Sequence, residues 1–270
     1  MPAETLYFVH LTDSHIGPTP AFSRHGHRSY SCARRAVDII NSLPVRPDFV
    51  MHTGDVVTAP DPRSYALAAE LFAGLEPPVY YATGNHDTAS DIRAWLPMGP
   101  HEPLLDDPAF LCYRFHVKGY RLVVLDARAP DELDPHGLMP ASQLAYLHQE
   151  ARETDGPPLV VFLHFPVLPL NAPWMDANMR LINWEETHAA FAGIGPRLRA
   201  VCHGHVHQNM QTSRDGVLYV AAASTFSQFA AWPTDEDVCL DPDHLPGFNF
   251  VHLLPHQTII HQHTFPRPQP

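Results

Sequence analysis

The nine residues VYYATGNHD at positions 79–87 decide how the rest of this 270-residue sequence is interpreted. The first four form a short apolar run, which predicts a buried strand. The polar residues after it put an amide, an imidazole and a carboxylate at the end of that strand. Because successive side chains on an extended backbone point to opposite sides, we expect Asn85 and His86 to differ, one facing a metal ion and the other a substrate. Taken alone, the stretch is equally compatible with a polar loop around a Gly-Asn turn.

Four other apolar runs, each predicted to be a buried strand, end in side chains of the same chemical kind. The runs cover residues 6–11, 48–52, 158–163 and 199–202. The polar side chains at their ends are Asp13 and His15, Asp55, His164, and His205 and His207. Two side chains at positions i and i+2 of an extended strand project to the same side, so the Asp-x-His pair and the His-x-His pair can each close on one ion.

These carboxylate, imidazole and amide groups are ligands for Mn, Fe, Zn or Co, and the absence of thiolates argues against a closed structural zinc site. Seven such groups exceed what one tetrahedral ion needs. Two ions about 3.5–4 Å apart, sharing one bridging carboxylate, would use them all. One Asp-x-His or His-x-His pair is a weak signal, whereas five such segments in one chain are a strong one. The sequence therefore predicts a centre of two divalent or trivalent transition-metal ions.

Composition bounds the class of protein. A chain with 45% hydrophobic and 10% aromatic residues predicts a packed core. The formal net charge of −12 argues against a nucleic-acid polymer as partner. A small phosphorylated substrate remains compatible, because metal ions supply positive charge locally. With no signal peptide, no apolar run approaching 18 residues and four scattered cysteines, we expect a soluble cytoplasmic protein without a membrane segment.

Strands and helices alternate along the chain, which favours a layered α/β fold forming one domain over residues 4–266. Helical spacing of apolar residues predicts helices at 32–43, from 62 to about 72, at 142–151 and at 187–194. Further strands are predicted at 111–117, 120–126, 218–223, 248–254 and 258–264, the first two joined as a hairpin across Lys118 and Gly119. Residues 165–183 are expected to form a long connection that is functional or mobile.

The order of motifs, DxH, GD, GNHD, H and GHxH, is also the signature of the calcineurin-like metallophosphoesterases, which the chain resembles over almost its full length. The resemblance implies a four-layer αββα fold, a β-sandwich flanked by helices, with the metals at one edge. It implies one ion held by Asp13, His15, Asp55 and His207, and a second by Asp55, Asn85, His164 and His205. It places His86 outside the ligands and facing the substrate phosphate, with Asp87 as its orienting partner.

Within this superfamily the sequence is most similar to the bacterial class III cyclic nucleotide phosphodiesterases. The likeness rests on segments such as ASQL at 141–144, AAS at 222–224 and GFN at 247–249. It implies hydrolysis of a phosphodiester in a small molecule, such as a cyclic nucleotide, by a hydroxide that bridges the metals. Asn85, His86 and His207 are expected to contact that substrate. Two departures bear on the pocket, namely Phe165 where many relatives have histidine, and His203 where many have a small or apolar residue.

Two other functions are compatible with the same fold. A phosphomonoesterase or nucleotidase would use the same metal centre, because the loops around the substrate decide between the two reactions. A silent binding protein would be expected to lack a ligand, and none is missing here. Diesters are favoured by charge, since a monoester dianion would be expected to require Lys or Arg beside the metals. None lies within five residues of Asp55, Asn85 or His164.

Several loop residues keep more than one interpretation. Three arginines lie in loops that the fold can bring into the pocket: Arg24, Arg28 and Arg180. His25 and His27 are expected to belong to a solvated loop, although they could reach a substrate. Trp174 and Met175 would line a lid, pack the connection down or form the contact of a homodimer.

Overall fold

The computed structural model describes residues 3–268. The strands are β1 (Leu6–Leu11), β2 (Phe49–His52), β3 (Val79–Tyr81), β4 (Glu102–Pro103), β5 (Tyr113–Val117), β6 (Tyr120–Val124), β7 (Leu159–Phe162), β8 (Leu198–His203), β9 (Gln211–Arg214), β10 (Val217–Ala221), β11 (Gln228–Phe229), β12 (Leu240–Asp241), β13 (Gly247–Leu254) and β14 (Gln257–Thr264). The helices are α1 (Ser29–Asn41), α2 (Pro62–Phe72), α3 (Ala89–Trp95), α4 (Ala141–Arg152), α5 (Pro173–Asn178) and α6 (Trp184–Ile194). No helix within residues 3–268 is long and apolar enough to cross a membrane.

Two large sheets hold most of these strands. The first has the order β14-β13-β1-β2-β3, and the second has the order β4-β5-β6-β7-β8-β10-β9. Strands β1, β2 and β3 run parallel in the first sheet, as do β6, β7, β8 and β10 in the second. Because the carboxyl ends of parallel strands lie along one edge of a sheet, the loops after β1, β2, β3, β7 and β8 can meet there.

Aromatic rings fill the space between the two sheets. Phe8 meets Phe162 edge to face with ring centroids 5.5 Å apart, and Phe49 meets Phe115 in the same way at 5.2 Å. All four rings are buried. The central strands β1, β2, β7 and β8 are buried on both faces because the opposite face of each sheet is also covered, as is usual for parallel sheets between helices.

Helices cover the outer faces of the sandwich. The apolar residues of α1 and α2 belong to the same buried cluster as those of β1 and β2. The apolar residues of α4 and α6 form a second cluster with β7 and β8. The predicted four-layer αββα fold is therefore confirmed, and we propose that residues 4–266 form one domain.

The predicted elements are all present, with shifted bounds. Helix α1, for example, begins at Ser29 and not at residue 32. Its first hydroxyl is buried and donates to the His15 carbonyl at 2.8 Å, which ties the helix to the first metal motif. The sequence interpretation missed α3, whose start is marked by Thr88 accepting from the backbone N–H of Asp91 at 3.1 Å. It also missed the polar strand β9, although Asp-Gly at 215–216 is a hairpin signal.

The aromatic packing between the sheets gives a prediction about stability. Phe49→Ala should lower the free energy of unfolding by about 3–5 kcal/mol, since it empties a site touched by rings from both sheets. Phe49→Leu should cost less than about 1.5 kcal/mol, because it keeps most of the volume. Urea unfolding of both variants measures the difference. Val45→Ala, at a side chain that is 43% exposed, is the control and should change little. Equal losses for the two Phe49 variants would contradict this packing.

Candidate metal centre

The loops at the carboxyl ends of β1, β2, β3, β7 and β8 meet at one edge of the sandwich. Backbone hydrogen bonds join the first two loops. The N–H of Asp13 donates to the backbone carbonyl of Gly54 at 3.1 Å, and the N–H of His15 donates to the backbone carbonyl of Asp55 at 3.0 Å. The N–H of Gly204, after β8, donates to the carbonyl of His164, after β7, at 3.0 Å. The seven predicted ligands thus occupy neighbouring loops of both sheets.

The backbone at most of these residues is not extended, and the expectation that extended strands aim the pairs is wrong. Positive φ angles occur at Asp13 (52°), His15 (43°), Asp55 (54°), His205 (71°) and His207 (47°). Left-handed backbone is uncommon outside glycine and costs about 1–3 kcal/mol per residue, so it persists only where the surrounding structure imposes it. The loops turn back on themselves, and this turn directs the side chains inward.

The first cluster is formed by Asp13, His15 and His207. The Nε2 atoms of His15 and His207 are 3.1 Å apart, and Asp13 Oδ1 lies 3.4 Å from His207 Nε2. Asp55 Oδ2 completes this group at 3.5 Å from His15 Nε2. Three donor atoms are therefore grouped closely enough to hold one ion, and the Asp55 oxygen lies beside them.

The second cluster is formed by Asp55, His164 and His205. The same Oδ2 atom of Asp55 lies 3.4 Å from His164 Nε2, which is 3.0 Å from His205 Nδ1. His205 and His207 therefore face different clusters, so the expectation that this pair closes on one ion is wrong. The Asp55 oxygen is common to both clusters, which is the position of a bridging ligand.

Hydrogen bonds to the rest of the protein orient these imidazoles. His207 Nδ1 is 2.9 Å from the Ser227 carbonyl, and His164 Nδ1 is 2.7 Å from that of Thr53. His205 is turned the other way, with Nε2 3.0 Å from the Pro135 carbonyl. Since a carbonyl accepts the ring N–H, the opposite nitrogen keeps its lone pair toward the centre.

The two carboxylates divide their oxygens in the same way. Asp13 Oδ2 accepts from the Thr12 hydroxyl at 2.8 Å and from the backbone N–H of His205 at 3.0 Å, whereas its Oδ1 faces the centre. Asp55 Oδ1 accepts from the backbone N–H of His86 at 2.9 Å, which leaves Oδ2 between the clusters. One oxygen of each aspartate is thus fixed by the protein, and the other is available to an ion.

The charges of the site suit a cation. Burial lowers the pKa of His15 well below its ordinary value, and burial together with His164 lowers that of His205 to about 3. Burial opposes the charge of Asp13, but the His207 and His164 imidazoles lower its pKa overall. Neutral imidazoles and ionised carboxylates are the states in which these groups bind metals.

The pKa of His164 is shifted in the opposite direction. Although burial disfavours its charged form, the carboxylates of Asp55 and Asp13 raise its pKa to about 9. These two anions therefore attract a positive charge to the middle of the site.

Two buried oxygens supply the test of fit. Asp13 Oδ1 and Asn85 Oδ1 have no hydrogen-bond partner within the described residues. Leaving such atoms unpaired costs about 1–3 kcal/mol each, so a buried orphan oxygen indicates a ligand. Together with the nitrogen and oxygen donors around them, they fit two transition-metal ions.

Glycine is required beside the bridging aspartate. A Cβ on Gly84 would collide with the Asp55 carboxylate and backbone, and a Cβ on Gly204 would collide with the Thr12 hydroxyl. These glycines of the GNHD and GHxH motifs let neighbouring loops approach the ligands closely.

His86 lies on the cavity wall beside the first cluster. Its Nδ1 is 2.9 Å from the Thr58 carbonyl, and its ring centroid is 4.9 Å from that of His15. One of its nitrogens also groups with His15 and Asp55 at distances a metal could span. His86 therefore lies directly beside two of the predicted ligands of the first ion.

Asp87 does not orient His86, and that expectation is wrong. Its carboxylate is buried and accepts from the backbone N–H groups of Val56 (3.2 Å), Val57 (3.3 Å) and Gly84 (3.0 Å). Burial, reinforced by the charge of Asp55, raises the pKa of Asp87 to about 7. Asp87 instead holds the loop after β2 against the loop after β3.

A cavity of about 450 Å³ opens over the metal centre. The part of its lining called the inner wall is formed by His86, Arg24 and five of the predicted ligands, His15, Asp55, Asn85, His205 and His207. The rest of the lining includes Trp174, Asn178, Met179, Phe229, Glu236, Asp237 and Val238, and the Phe229 ring stacks on His207 with centroids 4.6 Å apart. The backbone N–H of Trp174 donates to the Asp235 carbonyl at 3.2 Å, and the indole ring of Trp174 meets Phe229 edge to face with centroids 5.3 Å apart. The segments around residues 174 and 235 thus form one wall.

The remaining predicted pocket residues separate clearly. Phe165 packs its ring against His164 and His205 at centroid distances of 5.1 and 5.0 Å. His203 is buried and contacts the Gly204 carbonyl at 3.1 Å. Met175 is buried under the wall. The sequence interpretation did not single out Thr58, Phe229, Glu236 or Asp237, because each lies outside the metal motifs in a segment of weak periodicity.

The three arginines left open by the sequence also separate. Arg24 lines the cavity. Arg28 is exposed and lines a different cavity, and Arg180 donates to the Asp176 carbonyl at 2.8 Å. Arg24 therefore places a cation beside the predicted metal ligands. The expectation that the site lacks a basic side chain, which favoured diesters over monoesters, is wrong.

A sandwich of two sheets with a cluster of Asp, His and Asn at one edge is the architecture of a two-metal phosphoesterase. The family model for calcineurin-like phosphoesterases matches residues 6–209. The chain belongs to this family, as the motifs predicted. In a comparison of folds, the anchor in the inner membrane complex of Plasmodium superposes with a TM-score of 0.57 at 10% identity, covering 98% of this chain and 90% of that one. That likeness shows the fold alone.

Curated relatives carry more specific names. The 3′,5′-cyclic adenosine monophosphate phosphodiesterase of Pseudomonas aeruginosa is 27% identical over 252 residues, which cover 92% of this chain and 86% of the relative. The glycerophosphodiester phosphodiesterase of Enterobacter lignolyticus is 27% identical over 216 residues, covering 77% and 73%. Family and relatives together support the predicted enzyme class, a metal-dependent phosphodiesterase.

The shared carboxylate gives a prediction about metal content. Metal-replete protein should hold about two equivalents of transition metal, as expected for a centre with one bridging carboxylate. Asp55→Asn should hold less than one, because Asp55 contributes to both clusters. Elemental analysis measures both. Asp126→Asn is the matched control, since Asp126 is a buried carboxylate at the end of β6 that lies outside the clusters. Two equivalents in Asp55→Asn would contradict the bridging role.

Proposed function

We propose that this protein hydrolyses a phosphodiester in a small molecule, with a cyclic nucleotide as the first substrate to test. One ion is held by Asp13, His15, Asp55 and His207, and the other by Asp55, Asn85, His164 and His205. The observation that carries this proposal is the single Asp55 oxygen at 3.5 Å from His15 and 3.4 Å from His164, at the base of a cavity. When bound, two such ions lower the pKa of a water molecule and polarise the phosphate oxygens.

His86 is placed to handle the leaving group. Its Nδ1–H donates to the Thr58 carbonyl, so Nε2 is an acceptor in the neutral ring, as its contact with the Arg24 guanidinium requires, and carries a proton only in the imidazolium form. Because His86 lines the cavity, a proton on Nε2 can pass to the leaving oxygen of the ester. Asn85 and His207, which line the same cavity, are proposed to contact the substrate phosphate.

Further residues of the cavity lining suit an organic substrate with a single phosphate group. Trp174 and Phe229 present aromatic surface to the organic part of a substrate. Glu236 and Asp237 also line the cavity and carry negative charge. Like charges disfavour a substrate that carries further anionic groups besides the reacting phosphate.

Two alternatives share the metal centre. Glycerophosphodiesters also carry one charge, and one relative bears that activity in its name. A phosphomonoesterase would use Arg24 to balance the second charge of its substrate. A silent binding protein is disfavoured because the predicted Asp and His ligands lie in the two clusters and Asn85 lines the cavity beside them. The native metals, a homodimer and a cytoplasmic location stay predictions.

The role of His86 can be separated from metal binding. His86→Ala should lower kcat by about 10²–10⁴-fold, which is the usual contribution of a general acid. Its metal content should stay at that of the wild type, because the proposed ligands are intact. Steady-state kinetics and elemental analysis on the same preparation measure both quantities. Loss of one equivalent would instead make His86 a ligand beside His15 and Asp55.

Substrate class is tested by steady-state rates on a panel loaded separately with Mn, Fe, Zn and Co. The panel contains cyclic nucleotides, glycerophosphodiesters, bis-p-nitrophenyl phosphate and p-nitrophenyl phosphate. Diesters should have the higher kcat/KM, because two metals and His86 can neutralise the single negative charge of a diester. A monoester advantage of tenfold or more, about 1.4 kcal/mol in transition-state binding, would refute the diesterase proposal. The metallophosphoesterase assignment would remain.

A further inference from the structure

A tight turn in the loop between β1 and α1 carries Arg24 to the metal centre. The N–H groups of Arg24 and His27 each donate to the other's carbonyl at 3.0 Å. His25 and Gly26 between them have φ angles of 51° and 79°. Positive φ at both central residues is the pattern of a two-residue type I′ hairpin. Gly26 adopts this conformation freely, whereas His25 is strained in it, and such strain concentrates at functional sites.

The guanidinium of Arg24 reaches the catalytic histidine. Its Nη1 donates to the Thr58 hydroxyl at 2.8 Å, and its Nη2 is 3.4 Å from His86 Nε2. Thr58 thus holds both side chains, since its carbonyl contacts His86 Nδ1 at 2.9 Å. The two groups lie side by side on the inner wall of the cavity.

No carboxylate balances this charge directly. Within residues 3–268, no acidic oxygen lies within 4.0 Å of the Arg24 guanidinium, in contrast to Arg121 or Arg197, which pair with Glu150. Arg24 is nevertheless half-buried. A guanidinium offers five donors in a planar fork that matches phosphate. The Nε–H of Arg24 also donates to His25 Nε2 at 3.3 Å, so the contacts within the described residues leave two of the five donors for a ligand. A half-buried cation of this kind beside a metal centre is suited to an anion.

We propose that Arg24 is a catalytic residue that binds a non-bridging oxygen of the substrate phosphate next to His86. This rests on the proposed function, because it assigns a further contact to the same phosphate. The alternative is that Arg24 only anchors its turn to Thr58. Phosphate affinity distinguishes the two roles, since an anchor would not contact the anion.

The experiment uses metal-loaded protein and the variants Arg24→Met, Arg24→Lys and Arg28→Met. Arg28 is the matched control, because it lies in the same loop but is exposed and lines a different cavity. Arg24→Met should lower kcat/KM for bis-p-nitrophenyl phosphate by about 10²-fold, as for loss of one oxyanion donor. Added guanidinium chloride should restore part of that loss. Arg24→Lys should retain part of the activity, and Arg28→Met should match the wild type.

Binding of inorganic phosphate, measured by calorimetry, gives a readout that does not depend on turnover. Arg24→Met should bind phosphate at least about tenfold more weakly than the wild type, with metal content unchanged, because a charge-assisted hydrogen bond is lost. Wild-type phosphate affinity in Arg24→Met and Arg24→Lys, or a loss of activity that guanidinium does not restore, would overturn the proposal. If the wild type hydrolyses no diester, the proposed function fails, and phosphate affinity still decides the role of Arg24.

Discussion

The carboxylate of Asp55 connects the two halves of the molecule. Its Oδ2 lies 3.5 Å from His15, which follows β1 of the first sheet, and 3.4 Å from His164, which follows β7 of the second. Its Oδ1 accepts a hydrogen bond from the backbone N–H of His86 at 2.9 Å. Because a buried charge is costly without partners, the sheets must bring their ligands to this one oxygen. The relative position of the two sheets and the geometry of the site therefore depend on each other.

Backbone strain is the cost of that convergence. Five ligand residues hold left-handed conformations, each costing about 1–3 kcal/mol. Hydrogen bonds from distant elements maintain them, including the Ser29 hydroxyl on the His15 carbonyl and the Ser224 hydroxyl on the Asp13 carbonyl, both at 2.8 Å. Asp87 adds three more to the loops around Asp55. The rigid sheets impose a geometry that the loops would not adopt alone.

Chemistry and selectivity come from different parts of the chain. The strand ends supply the ligands and His86, whose positions follow from the sheets. Other parts of the cavity lining come from segments around Trp174 and Asp237, which are joined by the hydrogen bond from the Trp174 backbone N–H to the Asp235 carbonyl. Such loops can change without disturbing the metals, so relatives with this centre can act on different esters.

The sequence alone determined the order of the predicted strands and helices and the family, and it pointed to seven proposed ligands, because these depend on local periodicity and on motifs at strand ends. It did not reveal that five of the proposed ligands have left-handed backbone conformations. It also did not reveal that the Asp87 carboxylate binds backbone N–H groups of neighbouring loops in place of the His86 ring, or that Arg24 lines the cavity over the metal centre. Nor did it place Glu236 and Asp237 in the lining of the same cavity. Each of these depends on how separate loops fold against one another, and no periodic pattern records such contacts. Only the tertiary structure decided them.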